Sequence, residues 1–172
     1  MKIGIISDTH DNIPNIKKSL GVFKEQNVEV IIHAGDFVAP FSIWPFAEAG
    51  IKFISVFGNN DGEKEGLKLT IEKFGGEIYE SPYVFELAGK KFLLTHILPT
   101  EPDAFALKYN PNYFIYAHDH ISKIEKRDNY LMINPGECGG WLYGDSTVVI
   151  LDTETDDCRI IELTKGEGLK SQ

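Results

Sequence analysis

Five apolar runs of this chain end in side chains that a simple core does not ask for. "KIGIIS" leads into Asp8 and His10 of "SDTH", "VEVIIHAG" into Asp36, and "KFISVFG" into Asn59, Asn60 and Asp61 of "GNND". Further on, "KKFLLTH" closes with His96, and "YFIYAHDH" closes with His118 and His120. Carboxylate, amide oxygen and imidazole form a donor set for Mn, Fe, Co, Ni or Zn, and no thiolate draws it towards softer ions. In open α/β sheets, residues just beyond the carboxyl ends of strands converge on one crevice. Asp8, His10, Asp36, Asn59, His96, His118 and His120 are therefore candidates for one shared metal site.

Each of these residues also has a plainer reading. Asp8 or Asp11 can cap the helix that starts near Pro14, and Asp36 and Asp61 can be turn residues beside glycine. A lone histidine at a strand end is more often satisfied by ordinary hydrogen bonds than by a metal. Those readings would scatter such residues, whereas four of the five histidines sit at strand ends. The joint pattern points to a metal. In an extended segment His118 and His120 project to one face and Asp119 to the other. The same spacing fits a turn, and spacing alone leaves both open. His33, inside an apolar run three residues before Asp36, reads as a hydrogen-bonded histidine that orients the site from behind.

The elements that must position these residues follow from the periodicity. Over the first hundred residues, β-type runs alternate with the helical patterns "PNIKKSLGVFKEQ", "FSIWPFAEA" and "EKEGLKLTIEKFG", a βαβαβα order. Continuous β-branched runs such as "VEVII" mark strands covered on both faces, so part of the sheet is parallel and flanked by helices. The second half holds closely spaced strands, from "YVFEL" to "CRIIEL", with "EPDAFALKY" as its helix candidate. This favours mixed sheets, two of them stacked. No repeat or linker divides the chain, which reads as a single domain over residues 1–172 with a frayed tail at 165–172.

Composition narrows the function. The chain has 172 residues, 42% of them apolar, and a formal net charge of −9. A broad grip on nucleic-acid backbone, which needs clustered Lys and Arg, is excluded by that balance. Cys138 and Cys158 match no zinc spacing, and a reducing cytoplasm is the simplest home. Asp8 interrupts the first apolar run before a signal segment could form, and no run approaches eighteen apolar residues, so neither export nor a membrane span is expected.

In chain order the blocks "DTH", "GD", "GNND", "TH", "AHDH" and "NPGE" resemble those of the calcineurin-like metallophosphoesterase superfamily: D-x-H, G-D, G-N-H-[DE], a lone His, G-H-x-H and N-P-G-S. In size the chain is most similar to the small single-domain YfcE-type phosphodiesterases. The resemblance implies an α/β fold, a four-layer α/β/β/α sandwich of two mixed β-sheets flanked by helices. It implies two divalent transition metal ions, Mn or Ni foremost, with Co, Fe or Zn as further options. Asp8, His10, Asp36 and His120 would hold one ion, Asn59, His96 and His118 the second, and Asp36 would bridge them. Asp36, Asn60 and His96 are the catalytic candidates by this likeness, with attack on phosphorus by a hydroxide bridging the metals. Asp61 would bond a ligand imidazole or a loop amide beside the site, and His33 would stand behind it.

Departures from the family pattern bear on the substrate. Asn60 replaces the histidine that assists the leaving group in phosphatase branches, and an amide supplies no proton at neutral pH. Glu137 replaces the closing serine, which leaves no small hydroxyl there. Arg127 and Arg159, the two arginines, lie beside no motif, so the bidentate clamp suited to dianionic phosphate is missing. A small phosphodiester with a good leaving group fits better than a phosphoprotein. The alternatives are a non-catalytic scaffold of the same fold, as in the retromer subunit, and an enzyme acting on nucleotide monoesters or cyclic nucleotides. Ligand-competent residues at all seven positions argue against the scaffold. The "GGWLYG" stretch at 139–144 reads as a packed hairpin, a substrate groove or a subunit contact, and a homodimer is compatible with the sequence.

Overall fold

A computed structural model of the protein describes residues 1–166, 168 and 169. The N-terminal apolar runs form β1 (Lys2–Ile6), β2 (Val30–His33) and β3 (Lys52–Val56), connected by α1 (Ile13–Glu25) and α2 (Trp44–Ala49). Every residue of β2 is buried, which is why the run shows no polar alternation. The helix expected over "FSIWPFAEA" is split into a 3-10 turn at Pro40–Ile43 and α2. Pro45, lacking an N–H, sits in the first turn of α2, where that donor has no intrahelical partner in any case. After α3 (Lys64–Lys73) comes β4 (Glu77–Tyr79), a strand of three residues that is too short for periodicity to mark.

The strands form two sheets. One has the order β11-β10-β1-β2-β3-β4: β1 to β4 run parallel, and β10 (Ser146–Asp152) and β11 (Asp157–Thr164) extend it antiparallel. The other has the order β5-β6-β7-β9-β8, from β5 (Tyr83–Leu87), β6 (Lys90–Ile97), β7 (Tyr113–Ala117), β9 (Leu131–Asn134) and β8 (Lys123–Lys126). Its inner strands β6, β7 and β9 are parallel, and its two edges are antiparallel.

Three apolar clusters separate four layers. Ile16, Leu20 and Phe23 of α1 and Leu67 and Ile71 of α3 pack on Ile31 and Phe53 of the first sheet. Ile3, Ile5, Ile32 and Val56 meet Phe92, Leu94 and Ile115 between the sheets. Leu93, Phe114 and Tyr116 point the other way, towards Ala106 of α4 (Pro102–Tyr109). The alternation of Phe92, Leu93 and Leu94 along β6 is the period-2 pleat sorting side chains between layers. The result is the expected α/β/β/α sandwich. Among the described residues no helix is long and apolar enough to cross a membrane. The tail expected to fray falls partly on residues 167 and 170–172, which lie outside the described residues; within it, Leu169 N–H donates to the Trp141 carbonyl at 3.1 Å.

Candidate metal centre

The parallel strands β1, β2, β3, β6 and β7 deliver their following residues to one end of the sandwich, as the switch-point rule requires. The loops there are held in uncommon backbone conformations. Asp8, His10, Asp11, Asp36, Val38, His118 and His120 all have left-handed φ, between 39° and 87°. Such conformations cost free energy and persist only where the surroundings over-determine them. Here the surroundings are backbone hydrogen bonds: Asp8 N–H to the Gly35 carbonyl at 3.0 Å, His10 N–H to Asp36 O at 3.1 Å, and Cys138 N–H to Ser7 O at 2.9 Å. Gly58 completes the packing, because a Cβ at that position would collide with the Asp36 carboxylate.

Asp8 and Asp36 are fully buried, and three imidazoles face them. His10 Nε2 lies 3.8 Å from Asp8 Oδ1 and 3.6 Å from Asp36 Oδ2. His96 Nε2 is 3.3 Å from Asp36 Oδ2, and His120 Nε2 is 3.6 Å from Asp8 Oδ1. The ligand atoms of Asp8, His10 and His120 lie within 4.8 Å of one another, as do those of Asp8, Asp36 and His96.

Whether such a cluster suits a cation is decided by where its protons are. His96 Nδ1 donates to the Ala34 carbonyl at 2.8 Å, so in the neutral ring Nε2 is a bare lone pair. That lone pair faces Asn59 Oδ1 at 2.9 Å as well as Asp36. His120 Nδ1 donates to Glu137 Oε2 at 3.1 Å, which leaves its Nε2 lone pair facing Asp8. Asp8 Oδ1 and His10 Nε2 are buried with no hydrogen-bond partner among the described residues. Lone pairs turned towards each other around a common point are repulsive unless a cation or extra protons sit between them. Imidazoles steadied by a carbonyl or carboxylate at the far nitrogen are the usual arrangement for metal ligands. The residues present fit divalent ions.

The metal-free charges agree with this. Burial raises the Asp8 carboxyl above its usual range despite His120 and His96 nearby. Burial also works on Asp36, but the His96 hydrogen bond and charge and the Asn60 bonds outweigh it and hold that carboxyl well below the usual range. His96 and His120 are both raised: burial opposes the charged ring, and the Asp36 contact and the Glu137 hydrogen bond respectively overcome it. Without metal the cluster recruits protons in place of cations.

The structure sorts the remaining candidates. His118 and His120 lie in a turn after β7, where Asp119 Oδ1 accepts from Ile121 N–H at 2.9 Å and Asn134 Nδ2 at 2.7 Å. The two rings part company: His120 stacks on His10 and His118 stands edge-on to His96, each pair 5.2 Å between centroids. His118 is exposed and outside the two compact groups. Asn60 places its backbone N–H and its Nδ2 on the two oxygens of Asp36, both at 2.8 Å. Asp61 bonds loop amides: Gly58 N–H at 2.7 Å, Val38 N–H at 2.8 Å and Asp36 N–H at 3.1 Å. His33, fully buried, accepts from Gly35 N–H at 3.1 Å and donates to Thr9 Oγ1 at 3.2 Å, behind the loop that carries Asp8 and His10. The α1 cap is Asn12, which accepts from Asn15 N–H at 3.3 Å, so neither aspartate is needed there.

Glu137 is the residue whose part sequence reasoning missed. Besides His120, it accepts backbone N–H bonds from Trp141 at 2.9 Å, Leu142 at 3.0 Å and Tyr143 at 2.7 Å. Its carboxyl is buried, which alone would raise it, yet the His120 bond and those amides hold it below the ordinary range. The signal available was an acid closing "NPGE" just before a glycine-rich loop with free amides.

Comparison with known proteins follows the same lines. Residues 1–156 match the family model for the calcineurin-like phosphoesterase superfamily domain. Over 165 residues the chain is 42% identical to the phosphodiesterase MJ0936 of Methanocaldococcus jannaschii, spanning 95% of this chain and 99% of that one. A solved structure described as a novel archaeal phosphodiesterase is 40% identical, with a TM-score of 0.87 over 95% of this chain and 100% of its own. The E. coli phosphoesterase YfcE, 20% identical with a TM-score of 0.67 over 95% and 100% of the two chains, shares the fold.

Proposed function

The chain belongs to the calcineurin-like phosphoesterase superfamily, and on that premise we propose that it is a metal-dependent phosphodiesterase using two divalent ions. The observation that carries this reading is the meeting of imidazole and carboxylate lone pairs in two groups that share Asp8, each within 4.8 Å. Asp8, His10, Asp36 and His120 would hold one ion, Asn59, His96 and His118 the other, with Asp36 between them. When bound, the ions would lower the pKa of a water at neutral pH and offset charge on the phosphate oxygens during in-line displacement. Mn and Ni suit the oxygen and nitrogen donors, as do Co, Fe and Zn.

The protein's own contribution is orientation. Ala34 and Glu137 fix the tautomers of His96 and His120, and Asn60 fixes the plane of the Asp36 carboxylate. Asp36, held ionised, repels a phosphate until cations are present, so substrate binding itself is expected to depend on metal. Asn60 offers the leaving group no acidic proton, which favours esters whose leaving group is a stable anion.

Three features support a diester over a monoester. Arg127 faces Asp103 and Glu125, at 3.9 and 3.6 Å, and Arg159 is bonded to Gln26, so neither serves the site. The cavity beside His10, Asn60 and His120 is lined by no Lys or Arg among the described residues. His120 also lines a second cavity, of about 470 Å³, whose walls hold Ile121, Tyr143 and Ile160 beside the acids Asp145 and Glu162. A diester, carrying less negative charge than a monoester, is repelled less by those acids. Cys138 and Cys158 are both free thiols, which suits a reducing cytoplasm.

The test is hydrolysis of an aryl phosphodiester and the matching monoester by metal-stripped protein, with Mn, Ni, Co, Zn and Mg restored one at a time. Metal-dependent diester cleavage that Asp36→Ala abolishes is the expected result. Failure of every metal to support cleavage of either ester overturns the reading.

A further inference from the structure

We propose that Trp141 selects the substrate, its indole serving as a stacking face for a planar aromatic or heteroaromatic group esterified to the phosphorus. The proposal rests on the phosphodiesterase reading above and names the class of diester.

Exposure alone would not single this residue out, since Trp44 is 55% and Trp141 51% exposed. Their settings differ. Trp44 stands edge-on to Phe74 in the helix layer, centroids 5.3 Å apart. Trp141 lines a cavity of about 260 Å³ together with His10, Asn60, His120 and Leu142, so its ring borders the candidate metal centre directly.

The ring is also held where it is. Trp141 N–H donates to Glu137 at 2.9 Å, its carbonyl accepts from Leu169 N–H at 3.1 Å, and its indole Nε1–H donates to the His10 carbonyl at 3.2 Å. Gly139 allows this approach: a Cβ there would stand 2.9 Å from Trp141 Cδ1 and 3.0 Å from the Asp8 carbonyl. A side chain tied through its indole to the His10 loop, on a backbone pinned at both its N–H and its carbonyl, yet half in water, has already lost much of the freedom that binding would otherwise cost. Its open face is a preformed platform.

Size and charge define what fits. An apolar cavity of roughly 150 Å³ accommodates a benzene ring, so 260 Å³ has room for one ring beside a phosphoryl group. Among the described residues the lining contributes no Lys or Arg, so a second phosphate on that arm would find no such partner there. Stacking on an aromatic face tolerates any planar group, and it strengthens binding by roughly thirtyfold at the middle of its usual range.

The chain has two tryptophans, so Trp44→Phe makes Trp141 the single emitter. Metal-loaded Trp44→Phe protein would be titrated with phenylphosphonate and methylphosphonate, which have no ester bond to cleave, and the same ligands measured calorimetrically in Trp141→Leu and Trp141→Phe. Expected are quenching of Trp141 by phenylphosphonate, roughly thirtyfold tighter binding of it than of methylphosphonate, loss of that preference in Trp141→Leu and its partial retention in Trp141→Phe. Equal affinities in the parent protein, or a preference that survives Trp141→Leu, overturn the proposal and leave the phosphodiesterase reading standing. If neither phosphonate binds with any metal, both fall together.

Discussion

On one side of the centre, His10 and His120 stack in parallel, and Asp8, whose Oδ1 faces both rings, is fully buried. Glu137 steadies His120, and the Ser7 hydroxyl, 2.8 Å from Asp8 Oδ2 and from the Gly136 carbonyl, ties that carboxylate to the loop after β9. On the other side His96 is buried and bonded to Ala34, but Asn59 and His118 are exposed. One half holds its donors buried and braced, while the other leaves two of its side chains open to water, where they must be held against solvent when it binds. Ordering costs conformational entropy, and a carboxylate behind an imidazole strengthens its basicity. On the two-ion reading proposed above, the ions should therefore bind with unequal affinity, the first between Asp8, His10 and His120.

The most severe way to probe that contrast is to remove Asp36, whose Oδ2 faces His10 on one side and His96 on the other. Asp36→Ala should lower aryl phosphodiester turnover by more than about 10³-fold, beyond the usual loss for a single electrostatic group. Calorimetry of the stripped variant should show both metal-binding events weakened; an undisturbed second event would break the symmetry assigned to Asp36. Next in size is Glu137→Gln, which should weaken the tighter event by roughly 10- to 100-fold, as for other partners of metal-bound histidine. Should the weaker event move instead, the assignment of the two halves is reversed. A smaller effect is expected from His118→Ala, confined to the weaker event and visible as lost stoichiometry in metal analysis after dialysis.

The smallest effect concerns pH and the histidine behind the centre. Burial lowers the His33 pKa well below its ordinary value, so the folded protein keeps it neutral where the unfolded chain protonates it. Its neutral form thus contributes stability fully above about pH 6.5, and that contribution is lost as pH falls below that value, by at most about 1.4 kcal/mol per pH unit. The raised His96 and His120 of the metal-free centre work in the opposite direction, their contribution being lost as pH rises through their folded values. In denaturant titrations at pH 5.5 and 7.5, His33→Gln should therefore show a shallower acid loss than the parent protein. An unchanged slope would mean that His33 does not remain neutral.

The contrast between the halves also separates what was legible early from what was not. The strand-end positions of Asp8, Asp36 and His96 stand out against apolar runs, and the runs themselves announce strands and layers. His33 was legible too, because an imidazole inside "IIHAG" has to find partners within the core. Asp61 was half legible: a loop-amide partner was one of two options, and three amides take it. β4 was hidden, since three residues carry no period.

The amino-acid sequence by itself determined which ligand-competent side chains occur and in what order, the α/β layers and the net acidic charge, because each depends on composition or on periods of two and 3.6 residues. Only the tertiary structure decided that His118 and His120 leave the strand and turn towards different partners, and that Asn60 holds Asp36. Tertiary structure alone also decided that Glu137 joins His120 to the loop carrying Trp141. Those outcomes rest on left-handed backbone at His118 and His120 and on bonds between residues as far apart as His10 and Trp141. No local pattern records either, since both exist only once distant segments have packed.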